Sequence, residues 1–208
     1  MSRLLVIPVL TSALITFVTA MALRAAEATL AVLAVAAVAV LLTWYVQLHA
    51  TEEQSSVGLA NPASAVTLAV VGRHPWSTLL PTVVAHVVGA VIGGLAALGL
   101  EGQLGETLVF AEPRLGLAAA GAALVGLIGA WATLSVDGGG PEAFAGAPVV
   151  LGGAILPVGL VAVFHPAAVI GLATAGLLSW DVALVAAATT LLTAAIGGYL
   201  VSLVVPAE

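Results

Sequence analysis

Residues 58–68 read Gly-Leu-Ala-Asn-Pro-Ala-Ser-Ala-Val-Thr-Leu, a segment that opens like a helix and stays apolar to about Gly72. Asn61 is a favoured N-cap residue, and Pro62 suits the first helical position. Polar and ring-constrained residues at 73–75 then interrupt the apolar run. Because a membrane span needs about 20 apolar residues, the segment predicts a capped helix that is too short to cross a bilayer.

A second short apolar segment lies 104 residues further along the chain, from His165 to about Ser179. When the chain is shifted by 104 residues without gaps, the two segments and their flanks match in Pro, Trp and paired Gly residues. The matching positions are Pro62-Ala63 with Pro166-Ala167, Gly72 with Gly176, Trp76 with Trp180, and Gly93-Gly94 with Gly197-Gly198. A composition rich in Ala and Leu does not easily produce this pattern by chance. We therefore predict one domain, 1–208, built from internal repeats of about 1–104 and 105–208.

The composition indicates that lipid, rather than water, surrounds most of the chain. Hydrophobic residues make up 62% of the 208 residues and charged residues only 7%, whereas a soluble domain carries about 25% charged residues. The mean hydropathy is +1.25. Six apolar stretches are long enough to span a membrane, and we predict them at 4–23, 28–48, 76–100, 115–136, 147–164 and 181–204.

These elements define a fold class. Each repeat holds three spans and one short helix, and an odd number of crossings turns the second copy over in the membrane. A short helix that enters the bilayer and returns needs protein around its irregular ends. The predicted fold is therefore an all-α integral membrane protein with six transmembrane helices, two re-entrant half-helices and an inverted 3+3 repeat.

Several functional classes do not fit this sequence. All ten acidic residues fall outside or at the ends of the predicted spans, which argues against a proton-coupled pump. The net charge of -6 argues against a nucleic-acid partner. There is no cysteine, no hydrolase or metalloprotease motif, and no convergent set among the histidines, which are His49, His74, His86 and His165. We expect no metal, no cofactor and no enzymatic activity, and we interpret His86 as a buried histidine with a hydrogen-bond partner.

Two longer segments resemble the aquaporin and glycerol-facilitator family of membrane channels. In the first half, ANPASAVTLAVVGRHPW followed by TVVAHVVGAVIGG is similar to that family's Asn-Pro-Ala loop, its Gly-Arg-x-x-Trp region and its third span. In the second half, APVVLGGAILPVG, FHPAAVIGLATAG and the Trp that follows are similar to the family's second half. The similarity extends over nearly the whole chain and is strongest around residues 58–98.

The resemblance implies that the two half-helices meet end to end at the centre of a pore, in a subunit that forms a homotetramer in the plasma membrane. The pore-lining residues would be Asn61, Pro62, Ala63, His165, Pro166 and Ala167. Two helix N-termini would bring partial positive charge to the pore centre, and the Asn61 amide would add N–H donors. Because such a site disfavours protons and cations, we expect a passive channel for water or another small neutral solute across the lipid bilayer.

The second motif departs from the family pattern, because it begins with His165 in place of Asn. The arginine that the family places three residues after the second Asn falls on Ala168. By ungapped counting, the other selectivity-filter positions of the family fall near Leu41, Gly153 and Ala162. Together with Ala168 these residues would form a small, apolar constriction without charge.

Two other interpretations stay open at the level of the sequence. The first is an inverted-repeat channel or transporter for a different small solute, such as one of the formate/nitrite class, although the half-helix at Asn61 argues against it. The second is a closed, non-conducting membrane protein of aquaporin-like fold. The loss of the second Asn and of the Arg favours this second alternative.

Overall fold

The computed structural model describes residues 3–24, 61–101, 114–136 and 165–204, and within these ranges the chain forms six α-helices and no β-strand. In chain order they are α1 (Arg3–Arg24), α2 (Pro62–Val70), α3 (Trp76–Gly99), α4 (Leu115–Val136), α5 (Pro166–Thr174) and α6 (Trp180–Val204). The spans predicted at 28–48 and 147–164 lie outside the described residues. The other four predicted spans and both short segments are helical, which confirms the all-α class for the described part of the chain.

Two of these helices are long and apolar enough to cross a membrane. α3 has 24 residues and α6 has 25, so at about 1.5 Å per residue each extends over more than about 35 Å. The core helix of a soluble protein would be mostly buried, but only 39% of the apolar window in α3 and 28% of that in α6 is buried inside the protein. Length, composition and exposure of these two helices thus agree with a membrane location.

Both short helices end in the same hydrogen-bonded turn. Gly72 and Gly176 follow the helix ends with φ of 78° and 72°, in the left-handed region that glycine adopts without strain. The next N–H in each turn reaches back to a carbonyl of the helix, from Arg73 to Leu68 at 2.8 Å and from Leu177 to Leu172 at 3.0 Å. The apolar segments therefore stop as helices after nine residues each, because a glycine turn closes them.

The packing of the helices repeats between the two halves of the chain. α1 packs along α3 just as α4 packs along α6. α5 lies against α1, α3 and α6, while α2 lies against α4, α6 and α3, and the two short helices also touch each other. Exchanging α1 with α4, α2 with α5 and α3 with α6 reproduces all of these pairs. Each short helix is therefore held between two long helices of the other half.

Small residues bring each short helix close to a long one at equivalent places. A Cβ atom at Gly94 of α3 would collide with the carbonyl oxygen of Gly171 in α5. A Cβ atom at Gly198 of α6 would lie 3.2 Å from the carbonyl oxygen of Thr67 in α2. Since Gly198 follows Gly94, and Gly171 follows Thr67, by 104 residues, the two contacts are the same contact in the two halves.

α1 and α3 run side by side in the same direction. Cβ atoms at Gly89 and Gly93 of α3 would collide with the backbone of Val9 and Ala13 of α1, so the two contacts follow each other in the same order along both helices. Backbone contact of this kind leaves no room for sliding. The glycines therefore fix the register between α1 and α3.

Arg24 shows where the helices end relative to one another. It lies at the end of α1, hydrogen-bonds the carbonyl oxygen of Ala175 just after α5, and forms an ion pair with Glu101 just after α3. These three helices therefore finish at one end of the molecule. α6 begins at Trp180, five residues further, and packs back along α5, so it runs in the direction opposite to α3.

Candidate functional site

The side chain of Asn61 caps the start of α2. Its backbone is extended (φ -147°, ψ 128°), and its Oδ1 atom accepts a 2.8 Å hydrogen bond from the N–H of Ala63. Pro62 occupies the first helical position, where an N–H would have no helical partner in any case. Because the amide oxygen faces the helix, the NH2 group with its two N–H donors is directed away from it. Asn61 is 4% exposed, so these donors lie inside the protein.

His165 occupies the same place at the start of α5, but it caps the helix less tightly. Its Nδ1 atom accepts a hydrogen bond from the N–H of Ala168 at 3.3 Å, while the same N–H donates to the His165 carbonyl oxygen at 2.7 Å. The N–H of Ala168 therefore makes a bifurcated hydrogen bond, and the ring nitrogen is the more distant of its two acceptors. Since a nitrogen that accepts carries no hydrogen, the neutral ring has its proton on Nε2.

Both caps lie level with the middle of a long helix. The ring of His165 packs against His86, and Asn61 lines a cavity together with Thr190. His86 is the eleventh of 24 residues in α3, and Thr190 is the eleventh of 25 in α6. At about 1.5 Å per residue, each lies about 15 Å from the start of its helix, which is half the hydrocarbon thickness of about 30 Å. The two short helices therefore begin halfway along the long ones.

A pair of buried histidines marks the second half of the site. The ring centroids of His86 and His165 are 5.4 Å apart, and the ring planes are inclined by 74°, so the edge of one ring faces the other. The Nδ1 atom of His86 lies 2.6 Å from the hydroxyl of Ser12 on α1. Both His86 and Ser12 are completely buried, and His165 is 6% exposed. The structure confirms the expectation that His86 is buried with a hydrogen-bond partner.

A small cavity marks the first half of the site. Its volume is about 10 Å³, close to the space that one water molecule needs. The lining residues come from α2, α4 and α6, and they are Asn61, Ala63, Ser64, Val125, Gly126, Gly129 and Thr190. The polar atoms of this lining are an amide and two hydroxyl groups, so the cavity suits a neutral molecule that exchanges hydrogen bonds with them.

The hydroxyl of Ser64 is tied to α4 beside this cavity. Its oxygen lies 2.9 Å from the Thr133 hydroxyl, and that hydroxyl donates to the carbonyl oxygen of Gly129 at 2.8 Å. A hydroxyl has a single hydrogen, so Ser64 is the donor and Thr133 the acceptor of the first bond. The pair links α2 to α4 one turn beyond the Asn61 cap.

The structure places the motif residues that the sequence singled out at the buried starts of the two short helices. The caps, both prolines and the alanines that follow them are buried at the starts of the two short helices, at Asn61, Pro62, Ala63, His165, Pro166, Ala167 and Ala168. Ala168 is 2% exposed, and its N–H belongs to the cap of α5. The selectivity-filter positions Leu41, Gly153 and Ala162 lie outside the described residues.

Three polar residues of the site were missed by sequence reasoning, namely Ser12, Thr133 and Thr190. Thr190 is the residue onto which His86 falls when the chain is shifted by 104, so the repeat carried a signal for it. Ser12 and Thr133 lie on the first helix of each half, among apolar residues, and no local motif distinguishes them. Their roles depend on how the helices pack.

Charged side chains of the described residues lie near helix ends, away from the caps. Arg24 pairs with Glu101 at 3.0 Å where α1 and α3 finish, and Asp181 lies in the first turn of α6. In the four described ranges, no three His, Cys, Asp or Glu side chains converge into a group that could hold a metal ion. The middle of the site therefore offers neutral hydrogen-bonding groups and two imidazoles.

A third histidine lies in the turn between α2 and α3. His74 is 2% exposed, and its Nε2 atom lies 3.3 Å from the hydroxyl of Thr78. Burial lowers the pKa of His74 below its ordinary value, because the charged ring would lose its water. This histidine packs the turn rather than joining the site.

In comparisons with known proteins, no family model and no curated protein matches this chain, so the assignment of a function depends on the geometry of the two capped helix starts.

Proposed function

We propose that this chain is a passive transmembrane channel of the aquaporin type, for water or another small neutral solute. One observation carries the proposal. Two nine-residue helices, capped by Asn61 and His165, begin halfway along long apolar helices that run in opposite directions. A helix that starts at mid-membrane and ends at the surface does not span the bilayer. It is typical of membrane proteins that handle a solute at the midplane.

The chemistry of the two helix starts favours a neutral solute. Each N-terminus brings about half a positive charge, and the Asn61 amide adds N–H donors directed away from its helix. No carboxylate of the described residues lies beside the caps to offset these charges. A cation or a proton would therefore meet repulsion, while a molecule with an oxygen acceptor would gain hydrogen bonds.

The parallel packing of α1 and α3 supports the proposed count of six spans. Two parallel helices in a membrane need a connection that returns to the side on which the first helix began. A nine-residue helix such as α2 covers only about 14 Å and cannot provide it. The span predicted at 28–48 would provide this return in the first half, and the one at 147–164 in the second. A multi-pass protein follows from this proposal, and its location in the plasma membrane is what the family resemblance implies.

The proposed homotetramer rests on the family resemblance alone. The glycines of α3 that could have served an interface between subunits contact helices of the same chain instead, with Gly89 and Gly93 against α1 and Gly94 against α5. Assembly therefore has to use other surfaces. Light scattering in mild detergent tests it directly, and a monomer would contradict it.

A closed protein of the same fold is the second candidate, and burial of the caps favours it. Asn61 and His165 are both more than nine-tenths buried. The cavity beside Asn61 has room for about one water molecule. A protein of this fold that does not conduct would keep the capped helices as packing elements only.

Permeability of proteoliposomes separates the two candidates. Stopped-flow shrinkage should show water permeability above that of empty vesicles, with glycerol and carbon dioxide measured in parallel. Asn61→Asp keeps an acceptor for the helix cap but removes both N–H donors and adds a negative charge, so it should lower water permeability several-fold. Leu192→Ala, at an exposed position of α6, is the matched control and should have no effect. Wild-type vesicles no more permeable than empty ones would establish the closed alternative.

A further inference from the structure

The two halves of the site differ in chemistry at three equivalent positions. Asn61 corresponds to His165, Ser64 to Ala168 and Thr190 to His86, each pair being 104 residues apart. One half therefore offers an amide and two hydroxyls, and the other offers two imidazoles and a methyl group. Both short helices have nine residues and begin at an extended cap residue followed by proline, so the difference in hydrogen-bonding groups comes from the side chains.

The His165 ring is not held by its cap alone. Its Nδ1 atom is the longer branch, at 3.3 Å, of a hydrogen bond whose shorter branch is the backbone carbonyl at 2.7 Å. The Asn61 cap, by comparison, is a single hydrogen bond of 2.8 Å. A hydrogen bond of this length fixes the orientation of the imidazole less firmly than a short one, so a second contact matters for that orientation.

His86 provides that second contact, and α1 holds His86 in place. The hydroxyls of Thr11 and Thr19 bond back to carbonyl oxygens of their own helix, but the Ser12 hydroxyl reaches across to the Nδ1 atom of His86 at 2.6 Å. The glycine contacts between α1 and α3 fix the register that makes this bond possible. The edge of one histidine ring then faces the other, which is a favoured arrangement for aromatic rings.

We propose that His86, fixed by Ser12, is a positioning residue for His165. It keeps the imidazole turned so that Nδ1 caps α5 and the Nε2–H group is presented away from the helix, where Asn61 presents its amide donors in the other half. Protonation of His165 undoes this arrangement, because an imidazolium has donors on both nitrogens and can no longer accept from Ala168. The second helix start therefore loses its cap as the pH falls, and the first does not.

Among the described residues of the elements packed around the pair of His86 and His165, the other ionisable side chains lie toward helix ends or in turns. They are Arg24, Arg73, His74, Glu101, Asp181 and Tyr199. The rings of the two histidines are in contact. On α1, the neutral hydroxyl of Ser12 contacts His86 of α3, and the side chain of Thr16 lies beside Gly171 of α5.

Nitrogen-15 spectra of histidine-labelled protein test the positioning role without any need for conduction. Wild-type His165 should show a single tautomer with the proton on Nε2 at neutral pH. Ser12→Ala and His86→Gln should each produce a mixture of tautomers at His165. Thr11→Ala, which removes a neighbouring hydroxyl that bonds only within α1, should leave the spectrum unchanged. A His165 spectrum that neither Ser12→Ala nor His86→Gln changes overturns the proposal. If His86→Gln does not fold, the result for Ser12→Ala decides.

Permeability across a pH series gives the functional readout, which rests on the proposed channel. Wild-type water permeability should fall at least two-fold as His165 protonates, and His86→Thr should shift the midpoint of that fall. In a His165→Asn background, His86→Thr should have no further effect, because the residue it positions is gone. An equal effect of His86→Thr in both backgrounds overturns the positioning role. If no vesicle conducts, the channel proposal fails and the spectra still decide the positioning role.

Discussion

The Nη2 atom of Arg24 donates a 2.8 Å hydrogen bond to the carbonyl oxygen of Ala175, the residue that closes the second short helix. Arg24 lies on the last turn of α1 and is 3% exposed, so its charge is buried beside the negative end of a helix. The bond ties the outer end of α5 to α1. It complements the His165 cap, which holds the inner end.

Removing the Arg24 guanidinium should destabilise the protein more than removing its ionic partner. Arg24→Met keeps the apolar stem and loses a buried charged hydrogen bond, at a cost of about 1.5–3 kcal/mol. Glu101 is 61% exposed, so Glu101→Gln should cost less than about 1 kcal/mol. Unfolding in detergent with increasing denaturant measures both. Equal losses for the two variants would show that the ion pair, rather than the bond to Ala175, matters.

Alanine substitutions should separate glycines that allow close packing from those that do not. A Cβ at Gly94 would collide with the rigid backbone of Gly171, so Gly94→Ala should cost about 3 kcal/mol or more. Gly198→Ala meets Thr67 at 3.2 Å and should cost less, about 1 kcal/mol. Gly116→Ala meets nothing within 4 Å and should be neutral or slightly stabilising. Thermal unfolding of the three variants gives the order of their stabilities. A Gly94→Ala variant as stable as the wild type would contradict the close contact between α3 and α5.

The starts and ends of the short helices could be predicted because their signals are local. Asn61-Pro62 and His165-Pro166 are caps followed by a first-turn proline, and Gly72 with its equivalent Gly176 supplies the turn that ends each helix. The spacing of 104 residues links the two sets within the sequence itself. Each of these features depends on only a few neighbouring residues.

The contacts that complete the site could not be predicted because they depend on helix register. Ser12 and His86 are 74 residues apart in the sequence, and they meet only because Gly89 brings the backbone of α3 onto that of α1. The burial of His74 is a similar case, since the sequence shows only that it lies in an interruption of the apolar run and not what packs against it. A side chain's partner on another helix is a property of packing, which a single sequence does not encode locally.

His74 should make stability depend on pH in one direction. Its pKa is lowered in the folded protein by burial, while in the unfolded chain the imidazole has its ordinary pKa of 6.5. Its contribution is therefore fully present above about pH 7 and is lost as the pH falls through 6.5 toward the lower folded pKa. His74→Gln keeps a partner for Thr78 and should flatten the curve of unfolding free energy between pH 7 and the acid range. A wild-type curve no steeper than that of the variant would contradict the burial of a neutral ring.

Trp76 and Trp180 should lie at opposite surfaces of the membrane. Each begins a long helix, the two helices run in opposite directions, and both side chains are exposed, by 64% and 51%. Each tryptophan also lies about 15 Å along its helix from the residue that lies beside a capped helix start. This distance equals that from the bilayer midplane to its interface. Tryptophan favours that interface because its ring is apolar and its N–H is polar.

Depth-dependent fluorescence quenching measures this placement. In variants that keep one of the four tryptophans and replace the others with Phe, Trp76 and Trp180 should be quenched most by lipids carrying bromine near the headgroup. A quencher added to one side of uniformly oriented vesicles should reach only one of the two. Val88→Trp in a tryptophan-free background is the control, because this exposed position lies about 18 Å along α3 and should respond to quenchers near the bilayer centre. If Trp76 and Trp180 respond to the same leaflet, α3 and α6 do not cross the membrane in opposite directions, and the midplane position of the two caps is lost with them.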